Sequence, residues 1–402
     1  MPASYDIAVV GGGIVGASTA WALGQRKAGS VALFERSVIA AGASGRTGAL
    51  LRRHYSNEPE ARLAMLGQSI YRDWPDHVGG ECGFVPEGVV VTVDSSPGHE
   101  RNLEFLRANV AMQNRLGISS QVVTGDELQA MQPFLATGDI PLASWEPDSG
   151  YVNSIAATRS MAEAAARSGV EIHEQAGDTK LVVESGRVVG LETAEGVVAA
   201  DVVVLATGPW CVKQLGPVGI DLPITALRVQ IAIIQRPLEL SRDHFIFIDT
   251  AAGVFTRPWG PGTSLVGVGG GDQHDEVDPD DYTPGNDASY PTAALSAISR
   301  RIPAMGRGVY LHGHAGLYDM TPDTHPVIGR TQIEGLYVAA GFSGAGFKKA
   351  PAVGLCLAAE ITGDQSPVDL TPFDPHRFES PNWDKPWSDT EYTFSSDFGH
   401  KL

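Results

Sequence analysis

Cysteine is scarce: the 402 residues hold three, Cys82, Cys211 and Cys356, far apart and without the spacing of metal ligands. That excludes a disulfide framework and offers no zinc site, so no metal is expected. Positive charge is short as well, with 29 lysines and arginines against 47 acidic residues, a net charge of −18 and a sequence pI near 5.0. Such a balance speaks against nucleic acid or an anionic membrane as partner. No apolar run approaches the ~20 residues that span a bilayer, and no basic leader with a cleavage site precedes the first apolar run. A reducing, cytoplasmic setting is the expectation. With 43% apolar and 19% charged residues, the chain has an ordinary globular composition and the length for two or three domains.

What is present starts almost at once. Ile7, Ala8, Val9 and Val10 form a short apolar run that reads as a buried strand, followed by Gly11, Gly12 and Gly13 and then a helical pattern. Gly11, Gly13 and Gly16 give the spacing G-x-G-x-x-G: one glycine for the turn, one for close approach of backbone to a pyrophosphate, one for close packing of helix on strand. Ile14 and Val15 open the helix, whose free N–H groups and dipole favour phosphate. A second apolar run, Val31 to Phe34, ends at Glu35, where a carboxylate accepts hydrogen bonds from ribose hydroxyls; Arg36 follows it. A glycine-rich turn of any α/β protein would show the triplet alone. Here strand, helix and acid all fall in place, which predicts a bound adenine dinucleotide.

The next stretch, AAGASGRTGALLRRHY from Ala40 to Tyr55, offers Ser44, Arg46 and Thr47 as contacts for phosphate or a ring edge. Arg52, Arg53, His54 and Tyr55 then gather cationic and aromatic groups in an otherwise acidic chain. Glu58 to Trp74 has helical periodicity, Gly83 to Val93 reads as strands, and His99 to Leu116 and Asp126 to Leu135 read as helices around a strand at Gln121 to Val123. An alanine-rich helix runs to Ser168. Turns at Ser185-Gly186 and Glu195-Gly196 punctuate a meander, and Asp201 to Ala206 is a further buried strand leading into Thr207, Gly208, Pro209 and Trp210. Pro223 to Val268 alternates as an antiparallel sheet does. Asp272 to Asp287 reads as a plain exposed acidic loop.

Two later segments complete the pattern, HGHAGLYDMTPDTHPVIGR from His312 and GLYVAAGFSGAGFKKAPAVGLCLAAEIT from Gly335. Leu336 to Ala340 reads as a buried strand, Gly341 to Gly346 as a loop folded against a flat ring, and Phe347 to Ile361 as a helix with Pro351 near its first turn.

With its N-terminal glycine motif, the A-T-G-P-W turn and these C-terminal segments, the chain resembles the flavoprotein family that includes D-amino acid oxidase, glycine oxidase, sarcosine oxidase and dimethylglycine dehydrogenase, most nearly the sarcosine oxidase beta-subunit branch. The resemblance spans most of the chain. It implies a mixed α/β (α+β) fold of the glutathione reductase type 2 kind: a discontinuous Rossmann-like FAD-binding domain (1–80, 146–214 and 312–366), an inserted antiparallel-sheet substrate domain (81–145 and 215–311), and a polar tail (367–402) that either drapes over the body or a neighbouring subunit or is disordered. It implies FAD, touched by Ala206, Thr207, Gly208, Trp210, Gly316, Leu317, Gly341, Phe342, Gly344, Gly346, Phe347 and Lys348.

The same resemblance implies oxidation of a small anionic amino acid, N-alkylated like sarcosine or dimethylglycine, by hydride transfer from the carbon next to nitrogen to flavin N5, with hydrolysis of the imine. Lys348 and an arginine, Arg53 in preference to Arg52, would hold the carboxylate, with His54, Tyr55 and Tyr318 close by. Gly316 stands where sarcosine oxidase carries its FAD-linked cysteine, and the loop after Glu35 lacks the FAD-linked histidine of dimethylglycine dehydrogenase, so FAD is expected to be noncovalent. The strand that best matches the one bearing the oxygen-activating lysine, Thr263 to Gly270, has no lysine, which favours a dehydrogenase passing electrons to a separate acceptor over an oxidase using oxygen. A 2-hydroxy acid dehydrogenase on the same fold, or a flavin-bearing subunit of a larger homo- or hetero-oligomeric complex, are the alternatives.

Overall fold

The computed structural model describes residues 4–240, 243–269 and 275–382. Its first sheet grows from apolar runs that are buried on both faces, as parallel strands covered by helices require. The opening strand Ser4–Val10 lies between Val31–Phe34 and the long strand Gly196–Leu205, parallel to both, with Glu171–His173 outside one and Leu336–Ala340 outside the other. Val327–Arg330 closes one edge antiparallel. Helices Ile14–Arg26, Ser154–Arg167 and Gly346–Thr362 bury one face of this sheet. The other face is covered by the meander strands and by apolar side chains from Cys211 to Ile224.

The meander differs from the expected three short strands. Lys180–Glu184 and Arg187–Thr193 pair as a hairpin, but the residues after Gly196 run straight through to Leu205 as one strand, which carries the hairpin at its start and the parallel sheet further along. Likewise, only Val89–Thr92 of the stretch from Gly83 to Val93 is a strand, because Gly83 and Gly88 take left-handed turns (φ 67° and 78°).

The second sheet is built round Thr225–Gln235, which pairs antiparallel with Thr263–Val268 on one side and with Val309–Met320 on the other. It continues through Val254–Gly260, Ile246–Asp249, Val89–Thr92 and Ala143–Glu146 to Gln121–Val123. The pairing of Ile246–Asp249 with Val89–Thr92 is parallel, the one departure from an antiparallel order among these described strands. A boundary at residue 312 divides a single strand: Val309–Met320 is hydrogen-bonded to Thr225–Gln235 along its length, so residues up to 320 belong to the second sheet. Beyond residue 366 the described part of the tail packs on the body, with Phe373 fully buried and Arg377 paired to buried Asp323; residues 383–402 lie outside the described residues. Among the described residues no helix is long and apolar enough to cross a membrane.

The last helix, Gly346–Thr362, places Pro351 in its second turn, deeper than the sequence pattern suggested. A proline there cannot donate to the carbonyl four residues back, Phe347 O. The hydroxyl of Tyr71, from the neighbouring helix Glu58–Arg72, donates to that carbonyl instead, at 2.9 Å. Tyr71 also stacks on Phe347 (ring centroids 5.8 Å apart) and on Trp74 (5.2 Å). Tyr71→Phe keeps the stacking and loses the donor, so it should lower unfolding free energy by about 1–2 kcal/mol, the cost of stranding a buried carbonyl. Urea denaturation measures this, and an unchanged midpoint would mean that another group serves Phe347.

Candidate active site

The turn after the opening strand is held in a shape open to glycine alone. Gly11 has φ +109°, and a Cβ there would lie 2.5 Å from Ala206 O, the end of the neighbouring strand. A Cβ on Gly16 would come within 1.9 Å of Gly11 O, so the helix Ile14–Arg26 can sit directly on the turn. Its cap residue, Gly13, supplies no side chain; the Ser44 hydroxyl accepts from Ile14 N–H at 2.9 Å. Glu35 accepts from Gly12 N–H (2.6 Å) and Ser37 N–H (2.8 Å), one bond to each carboxylate oxygen. Each oxygen retains a second lone pair for a ligand hydroxyl.

From this turn a groove of about 670 Å³ runs across the ends of the parallel strands. Its walls hold Gly11, Gly13, Ile14, Val15, Glu35, Arg36, Ser44, Arg46 and Thr47 from the N-terminal part, Ala206, Thr207, Gly208 and Trp210 from the A-T-G turn, and Gly316, Leu317, Phe342, Gly344, Gly346 and Phe347 from the C-terminal segments. Gly16, Gly341 and Lys348 are not in the wall. Gly16 is packed on Gly11, and Gly341 is turned to Thr321, with its N–H donating to Asp319 at 2.7 Å.

A second cavity of about 180 Å³ opens between the two sheets. It shares Arg46, Thr47, Val229, Tyr318, Gly344 and Phe347 with the groove, so the two spaces meet along these residues. Its walls are largely apolar, with Leu227, Ile231, Ile248 and Phe255 among them, and into them are set Arg52 and Lys348, both buried. The Arg52 guanidinium donates to His54 O and lies 4.4 Å from the Tyr55 ring centroid; among the described residues it has no carboxylate partner. Tyr318 has its ionisation pushed up by burial, against the pull of Arg52, and stays a phenol at neutral pH.

Neighbouring candidates point elsewhere. Arg53, preferred from the sequence over Arg52, is outside the cavity wall: its backbone N–H donates to Glu146 at 2.9 Å, its Nε lies 3.8 Å from the same carboxylate and its Nη2 4.0 Å from Asp148. His54 is fully buried beside Ser144 Oγ (3.1 Å), and desolvation, helped by Arg52, pushes its pKa down to about 3, so the ring is neutral. Tyr55 is likewise behind the wall, its ring in contact with Arg52 and with Lys349 (4.1 Å to the centroid). Sequence reasoning passed over Gln230 and Thr324, which line the cavity, and Lys349 and Glu60 beneath it. For Lys349 the signal was present, a second lysine beside Lys348 at the head of an apolar helix.

Residues 6–360 match the protein family described as FAD dependent oxidoreductase (DAO). The chain belongs to that family. Sarcosine oxidase subunit beta of Rhodobacter capsulatus is 24% identical over 380 residues, covering 93% of this chain and 89% of that protein, and glycine oxidase of Geobacillus kaustophilus is 24% identical over 382 residues, covering 92% and 96%. Among solved structures, L-proline dehydrogenase from P. horikoshii superposes with a TM-score of 0.84 at 26% identity, over 94% of this chain and 99% of that one.

FAD is thus the cofactor of this flavoprotein, and the groove fits it. A helix N-terminus faces its middle, a carboxylate with spare lone pairs stands at one end, and at the other Gly344, at φ +80° and with room for no Cβ beside the Tyr318 ring (2.8 Å), leaves space for a flat group.

The acidic loop read as idle is part of this groove. Residues 272–274 lie outside the described residues, but Asp280 accepts from Arg36 (2.8 Å), Lys213 (2.6 Å) and Trp210 Nε1 (2.6 Å), and Asp278 accepts from Lys213 (2.5 Å). These three donors hold the Asp280 carboxyl well below the usual range, against its own desolvation. The contacts tie this loop across the Glu35 end of the groove. Asp280→Asn should speed FAD release about three- to tenfold at 0.1 M salt, with the difference shrinking at 1 M salt as exposed ion pairs are screened. Recovery of flavin fluorescence on dilution measures it.

Proposed function

We propose that this flavoprotein oxidises the C–N bond of a small amino acid with an alkylated nitrogen, of the sarcosine, dimethylglycine or proline kind. The observation that carries the reading is Arg52: a buried cation without a carboxylate partner among the described residues, set with Lys348 in the wall of an apolar cavity that adjoins the cofactor groove. A guanidinium so placed calls for an anion small enough for about 180 Å³. A planar guanidinium with an ammonium beside it fixes both oxygens of a carboxylate and so aims the carbon next to it. The apolar side chains of Leu227, Ile231, Ile248 and Phe255 suit alkyl groups on that carbon or on nitrogen. The names of the relatives, sarcosine oxidase subunit beta and L-proline dehydrogenase, support a secondary amine.

In the groove, Gly13, Ile14 and Ser44 would hold the pyrophosphate, Glu35 the ribose, and the A-T-G turn together with Gly316, Leu317, Phe342 and Gly344 the remainder of the cofactor. Bound there, FAD supplies the two-electron acceptor for the hydride that leaves the carbon next to nitrogen. The chain's own part is to orient and to exclude water. Arg52 and Lys348 hold the carboxylate, Tyr318 brings a phenol that burial keeps protonated, and the apolar wall keeps bulk water from the reacting carbon until the imine is released to hydrolyse. Lys348, at the head of helix Gly346–Thr362, adds its charge to the helix dipole and so favours the reduced cofactor.

Electron transfer to an acceptor other than oxygen is favoured by the strand Thr263–Val268, which contributes Val268 but no lysine to this region. Noncovalent attachment is favoured by Gly316, where a Cβ would already lie 3.2 Å from the Arg46 side chain.

Arg52→Ala and Lys348→Met should each lower kcat/KM by about two orders of magnitude, chiefly through KM, with Arg53→Ala less affected, in keeping with loss of a charge-assisted bond to a carboxylate. Anaerobic titration with sarcosine, proline and 2-hydroxy acids, following loss of flavin absorbance, tests the substrate class; bleaching by hydroxy acids alone would replace the amine reading. Acid precipitation should leave the yellow chromophore in the supernatant, and colour in the pellet would show a covalent link.

A further inference from the structure

Beneath the second cavity lies a cluster that binding and orientation, as described, do not use. Glu60, from helix Glu58–Arg72, is 1% exposed; it forms an ion pair with fully buried Lys349, and its other oxygen lies 3.0 Å from His325 Nδ1. Each contact leads to the cavity wall. Lys349 follows Lys348, and because successive residues of an α-helix point about 100° apart, fixing Lys349 on Glu60 fixes the direction in which Lys348 is turned. Lys349 also rests on the Tyr55 ring that carries the Arg52 guanidinium. His325 ends a tight turn whose Thr324, at φ +62°, lines the cavity. That turn is braced by Thr321 Oγ1 and Arg377 Nη2, each donating to His325 O at 2.8 Å, and by the pairing of Arg377 with Asp323.

We propose that Glu60 is a positioning residue, which through Lys349 and His325 sets Lys348, Arg52 and Thr324 around the substrate carboxylate. The inference rests on the reading of Arg52 and Lys348 as the carboxylate clamp. Glu60 touches neither substrate nor cofactor in this role. Its buried carboxylate joins three segments, at residues 55–60, 321–325 and 346–349, that are distant in sequence and adjacent at the site.

The test is titration of the FAD-loaded protein with isobutyrate, an apolar monocarboxylate without nitrogen, read by the change in the visible flavin spectrum. Glu60→Gln should weaken isobutyrate binding about tenfold or more, as expected when a clamp loses its alignment, while flavin content is unchanged, and Glu60→Asp should recover part of the loss. The double variant Glu60→Gln with Lys349→Met removes both charges and leaves neither buried unpaired. It should show the same weakening, and it serves where the single variant does not fold. Binding within twofold of the parent in the folded variant, with only a lowered melting temperature, would overturn the proposal and leave Glu60 a structural residue. Arg52→Ala in the same titration separates the two readings. If it too binds normally, the carboxylate clamp falls and this inference with it; if it alone loses binding, only the role of Glu60 falls.

Discussion

The close approach of two strand ends governs the whole arrangement. Ala206 N–H donates to Val10 O at 2.8 Å, and the Gly11 backbone lies so near Ala206 O that no side chain fits between them. Parallel strands brought together in this way end side by side, and the helix that follows the first of them can only start over the gap. A groove with backbone donors at its floor follows from that contact, and the other walls are added by later segments.

The second sheet adds a further cavity beside the groove. Thr225–Gln235 and Val309–Met320 are paired along their length, and Val229 and Tyr318, one from each strand, line both cavities. The cofactor groove and the second cavity therefore meet along residues that line both. Arg52 and Lys348, both buried, line that second cavity in a chain with a net charge of −18.

The parts of this site that were legible in the sequence are those written locally. Gly11, Gly13 and Gly16 have their spacing because one turn and one helix must meet, and no distant residue is needed to see it. The choice between Arg52 and Arg53 is of another kind. Leu50–Leu51 pairs with Gly150–Tyr151, about a hundred residues further along the chain, and that pairing sends Arg52 into the cavity and Arg53 toward Glu146 and Asp148. The depth of Pro351 was hidden for a similar reason, since the group that makes it tolerable, the Tyr71 hydroxyl, belongs to another helix. Asp278 and Asp280 looked like solvated charges because their partners, Arg36 and Lys213, come from distant stretches.

The groove's composition also bears on how the polypeptide is made. Its wall begins at Val10 and is finished only by Phe347. A chain made from its N-terminal side exposes the glycine turn well before the segments from Gly316 to Phe347 that complete the wall. The apolar flank of the dinucleotide helix Ile14–Arg26 is likewise left uncovered until helix Gly346–Thr362 packs against it.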